Sequence, residues 1–131
     1  MTSDFFQGGL KAYREIFWPD FTEHDGCVFL AFDETTYQQW FRQTGGNKQA
    51  IEVVMNHRHI VDLLPEAVES PTRSLIIAFG QLMRELLEAK LQRDFPKRNF
   101  SVRFPLEDHQ DLTDYEITFY QSITPTMPSG S

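Results

Sequence analysis

The sequence predicts an α+β domain: a small, mainly antiparallel three-stranded sheet with helices packed on one face, in the order α-β-α-α-α-β-β. Three observations predict it. One short, continuously apolar run is bounded by turn residues, four segments carry apolar residues at helical spacing, and two late segments alternate strictly. The 131 residues show no repeat and fit one domain over 1–123, with a Pro- and Ser-rich tail, 124–131, expected to be disordered.

Phe6, Leu10, Tyr13 and Phe17 are spaced as one face of a first helix, which Ser3 or Asp4 would cap and Trp18-Pro19 would end. The run from Cys27 to Phe32 lies between Asp25-Gly26 and Asp33. Its length and composition suit a central strand covered on both faces. Asp33 then caps a second helix with Tyr37, Trp40 and Phe41 on its apolar stripe, closed by Gly45-Gly46 in the left-handed conformation.

Asn47 caps a third helix through Ile51, Val54, Met55, Arg58 and Val61, reaching the Leu63-Leu64-Pro65 boundary. The fourth and strongest helix starts at Ser70, with Pro71 at its first position. Leu75, Phe79, Leu82, Leu86 and Ala89 form its stripe, which Ile76, Met83 and Leu87 widen. Its first half is apolar nearly all round, and its second half, with Arg84, Glu85, Glu88, Lys90 and Arg93, reads as solvated. Phe100, Val102 and Phe104 alternate with polar residues, as do Tyr115, Ile117 and Phe119. The ten residues between them make a long-looped antiparallel pair.

Composition narrows the function. The net charge is −7 and the densest basic neighbourhood is only Lys97-Arg98 with Arg93 and Arg103, so the chain lacks the basic surface of a nucleic-acid binder. The same charge repels anionic lipid, and no apolar stretch approaches the roughly 20 residues of a membrane helix. Met1-Thr2-Ser3-Asp4 has neither region of a signal peptide, and the one cysteine, Cys27, allows no internal disulfide and reads as a buried hydrophobe. The expectation is a cytoplasmic protein.

The chemistry turns on Asn56-His57-Arg58-His59. On a strand, His57 and His59 point the same way and can share a ligand. On a helix they diverge by about 200°. The helical pattern through this segment separates them and puts His59 on one face with Asp62, an acid/base histidine with an orienting carboxylate. Glu52 and His24 are the further donors weighed. Two ligands do not make a metal site, so the sequence assigns neither a metal nor a cofactor. The acidic segment Leu106–Asp114 lacks calcium-loop spacing and reads as a solvated loop. Asp20, Glu23, His24 and Asp25 likewise read as turn residues before the strand. Neither a nucleophile elbow nor a phosphate loop occurs.

Phe6, Trp18, Phe21 and Trp40 remain as aromatic anchors for a binding surface in the first third of the chain. The leading expectation is therefore a small acidic binding or adaptor domain, non-catalytic, acting through contacts with a protein partner. The alternatives are a small enzyme using His59 with Asp62 and His57, and a carrier of an apolar ligand held between the first helix and the sheet. An open edge on the C-terminal strands would also allow a symmetric dimer.

Overall fold

In the computed structural model, which describes residues 11–65, 68–107 and 109–122, helices and strands mix as expected, but the strands divide between two antiparallel sheets. Helix α1 covers residues 11–17 and strands β1 and β2 cover Thr22–His24 and Cys27–Phe29. Helices α2, Glu34–Thr44, and α3, Lys48–Met55, follow. Next come β3, Arg58–His59, a 3₁₀ turn, Ile60–Leu63, and the long α4, Arg73–Asp94. Strand β4, Phe100–Arg103, a second 3₁₀ turn, Leu112–Asp114, and β5, Glu116–Gln121, complete the order. One sheet is the β1-β2 hairpin and the other has the order β3-β5-β4. Phe6, the expected caps Ser3 and Asp4, and the tail 124–131 lie outside the described residues.

The expected central strand is thus half of a hairpin. Asp25 and Gly26 have φ of 54° and 82°, the doubly left-handed turn whose twist matches antiparallel strands, and it sets Thr22 opposite Phe29. β2 is buried on both faces, as its composition requires. Its outer edge, however, meets side chains instead of a strand. Val28 N–H donates to Glu52 Oε2 (2.9 Å), Leu30 N–H donates to Asn56 Oδ1 (3.0 Å), and Asn56 Nδ2 donates to the Val28 carbonyl (2.9 Å). The same two residues reach β5: Asn56 Nδ2 donates to the Phe119 carbonyl (3.2 Å), and Gln121 N–H donates to Glu52 Oε1 (2.8 Å). Glu52 and Asn56 are one helical turn apart and buried, so α3 inserts a polar rung between the two sheets.

That rung explains why the third helix does not continue to Leu63. Asn56 is its C-cap, with its amide committed to β2 and β5, and the chain then extends to pair with β5. The other caps lie where the sequence puts them. Asp33 accepts from Thr36 N–H (2.8 Å), Gly45 has φ 66°, and Asn47 accepts from Ala50 N–H (3.1 Å). α1 stops just before Trp18-Pro19.

α4 departs in two ways. It starts later than Ser70-Pro71, because the Thr72 hydroxyl accepts the Leu75 N–H (3.1 Å) and makes Thr72 the cap. Its buried face is Ile76, Gly80, Met83, Leu87 and Leu91, leaving Leu75 and Leu82 39% and 44% exposed. Gly80 decides the rotation: a Cβ there would stand 2.1 Å from Phe104 Cζ, so only this face lets the buried Phe104 ring lie against the helix. Lys90 is not solvated either. It is 4% exposed, its ammonium bonds Asp94, and it lies 5.2 Å and 5.8 Å from the ring centres of Phe21 and Trp18.

Below β5 the core gathers Ile117 and Phe119 with Met83, Leu87 and Leu91. A second cluster joins Cys27, Phe29, Tyr37 and Ile51. No helix among the described residues is long and apolar enough to cross a membrane.

Candidate metal centre

β5 is the central strand of its sheet, and its alternation sends Ile117 and Phe119 into the core and Glu116 to the open face. β3 is its short antiparallel neighbour, with His59 opposite Glu116 and Arg58 opposite Ile117. His57 precedes β3 by one residue in extended backbone, so it shares the open face with His59, while Arg58 points to the other side.

The result is a compact cluster. His57 Nε2 lies 3.3 Å from His59 Nε2 and 3.2 Å from Glu116 Oε1, and the three donor atoms all fall within 4.8 Å of one another. The His57 and Glu116 side chains are 38% and 47% exposed, which opens the cluster to solvent. His59 Nδ1 stands 2.6 Å from the Thr113 carbonyl. A carbonyl only accepts, so Nδ1 carries the hydrogen in the neutral ring and Nε2 offers a lone pair to the cluster. Thr113 is itself fixed by Asp111, which accepts its N–H (3.0 Å) and its hydroxyl (2.8 Å). Those two bonds, the N–H first, hold the Asp111 carboxyl below the usual carboxylate range.

The acidic loop therefore serves as the support behind His59, a role its sequence does not announce. Asp62, expected to orient His59, is exposed in the 3₁₀ turn and bonds neither histidine among the described residues. The helical spacing that paired them is absent, and the Thr113 carbonyl takes that place. Glu52 is committed to the inter-sheet rung. His24 packs against Phe32 at a tilt and against Tyr37 edge-on, with ring centres 4.4 Å and 4.6 Å away. Glu116 is the member of the cluster that sequence reading missed. Alternation marks it as outward-facing, but nothing local says which residues stand beside it.

Among the aromatic anchors, Phe21 packs on Phe119 and Phe95 at the main core, and Trp40 packs on the second cluster. Trp18 is half-buried against Lys90. Cys27 is buried, and burial, then the nearby Glu52 charge, pushes its thiol up to about 11, far from a nucleophile's range.

Fold and site together define a small α+β protein with an open two-histidine, one-carboxylate cluster on a sheet face. No protein-family model, curated protein or solved structure matches the chain.

Proposed function

We propose that this protein binds a divalent transition-metal ion at His57, His59 and Glu116. The observation that carries the reading is spacing. Two donors each about 2.05 Å from a tetrahedral zinc ion lie about 3.3 Å apart; two of the cluster's three edges are 3.3 Å and 3.2 Å, and all three lie within 4.8 Å. In the free protein a hydrogen on His57 Nε2 sits between two acceptors, His59 Nε2 and Glu116 Oε1; when the ion takes that place, the neutral ring carries its hydrogen on the solvent-side Nδ1 instead. Imidazole and carboxylate donors suit zinc and its neighbours, and three protein ligands leave at least one position open.

Titration of metal-free protein with zinc, and with cobalt(II) as a spectroscopic stand-in, tests the reading. One equivalent should bind, with cobalt giving the visible bands of a tetrahedral or five-coordinate site. His57→Ala, His59→Ala and Glu116→Ala should each weaken binding at least tenfold. Stoichiometric binding that survives all three substitutions, or no binding at all, defeats the proposal.

The adaptor reading draws on a different observation. Exposed Leu75 and Leu82 flank Phe79 on α4, and Phe79 continues through Phe17 (5.4 Å) to exposed Tyr13 (6.2 Å), an apolar strip facing solvent. If this strip joins a second copy or another protein, the Leu75→Ser, Leu82→Ser pair abolishes the association seen by sedimentation and leaves metal affinity unchanged. Association that persists in that variant removes the strip from consideration.

A further inference from the structure

Resting on the metal reading, we infer that the centre takes a small ligand with an oxyanion head group, one oxygen on the ion and another on Arg103. The register brings the two together. Arg103 on β4 stands directly opposite Thr118 on β5, so it is the diagonal neighbour of Glu116 on the same sheet face. Diagonal pairs have Cα atoms about 7–8 Å apart, within reach of a long side chain. Arg103 and Glu116 line one cleft of about 240 Å³, together with Pro105, Glu107, His109 and Asp114.

Arg103 is exposed and has no hydrogen-bond or ion-pair partner among the described residues. Arg58, on the neighbouring strand β3, lies on the opposite face, whereas Arg103 shares its cleft with Glu116, which stands between that cleft and the two histidines. A guanidinium offers two parallel N–H donors, a geometry matched to carboxylate and phosphoryl oxygens.

Charge adds an order of events. Glu107, Asp114 and Glu116 outnumber the one guanidinium in the cleft, so an anion is repelled from the metal-free protein. A divalent ion cancels that excess at the point where the ligand oxygen must sit. Metal binds first, and the anion binds only to the loaded protein.

Benzoate and phenylphosphonate, which share a ring and differ in head group, are the probes, added to cobalt-loaded protein. Either should shift the cobalt bands in a saturable way as its oxygen enters the coordination sphere, and the tighter of the two names the preferred head group. Arg103→Gln should weaken that binding at least tenfold while leaving cobalt affinity and the ligand-free spectrum unchanged. Arg103→Lys should recover only part of the loss, because it restores charge without the fork. Cobalt that binds but ignores both anions overturns this inference and leaves the metal reading intact. Anion binding that is equal in Arg103→Gln, or that occurs without metal, overturns it as well. A protein that binds no cobalt removes both proposals together.

Discussion

Glu52 and Glu116 both meet strand β5, one at each end, and they do opposite things. Glu52 accepts three hydrogen bonds, from Val28 N–H, Gln121 N–H and Gln121 Nε2 (2.7 Å); it is buried together with Val28, and Gln121 is half-buried. Glu116 is half-exposed, and its one ion-pair contact among the described residues is with His57 Nε2. Saturation and burial make the first a structural carboxylate, because it satisfies the buried Val28 N–H and ties the end of β5 to it through Gln121. The second keeps lone pairs to spare beside two imidazoles. The difference separates what holds the protein together from what is free to bind.

The sharpest way to break this contrast is substitution at both positions. Glu52→Ala strands the buried Val28 N–H and takes an acceptor from two half-buried Gln121 donors, and should cost about 2–4 kcal/mol in urea denaturation. Glu116→Ala should change stability by less than about 0.5 kcal/mol while abolishing metal binding. Similar stability losses at the two sites would erase the distinction. Next in size is Gly80→Ala. The added methyl would stand 2.1 Å from the tip of the buried Phe104 ring, which must shift, so overpacking outweighs the gain in helix propensity, for a net loss of about 1–2 kcal/mol. A stabilised variant would mean that Phe104 does not fix the rotation of α4.

Smaller still is Asp111→Ala, which frees Thr113 and loosens His59. Zinc affinity should fall by up to about tenfold with little change in unfolding midpoint, the pattern expected of support behind a ligand. Last comes acid. Asp25 is held below its ordinary range by the Tyr37 hydroxyl and then Lys48, and Asp33 by the Thr36 N–H and then its hydroxyl. Depressed folded values mean stability that is present above the unfolded Asp value of about 3.9 and lost as pH falls through the folded ones. The unfolding midpoint should drop below about pH 4, and Asp33→Asn, which caps without titrating, should flatten part of that drop. An acid limb identical in Asp33→Asn would remove Asp33 as a contributor.

What could be read from the sequence was local. Asp33, Gly45 and Asn47 act within three residues of themselves, and the alternation in β4 and β5 needs only a nearby core. What escaped depends on residues far apart. Glu52 and Asn56 look like polar positions on an amphipathic helix until two strand edges, at 28–30 and 119–121, are known to flank them. Arg58 and Val61 continue the helical spacing by coincidence, so the extended backbone that unites His57 and His59 was hidden. Glu116 joins them across 57 residues of chain. Two local signals were present and underused: Asp25-Gly26 as a hairpin turn, and Gly80 as a mark of close approach within a helix.

The rung on α3 also bears on how this chain avoids self-templating. Cys27-Val28-Phe29-Leu30-Ala31-Phe32 is an uncharged, proline-free apolar hexamer, the composition of segments that recruit identical strands into cross-β stacks. One edge of it is covered by β1, and the other offers no vacant N–H at Val28 or Leu30 because Glu52 and Asn56 already hold them. Two side chains thus hold the backbone groups that a strand from another copy would need, doing for this edge what a paired strand does elsewhere.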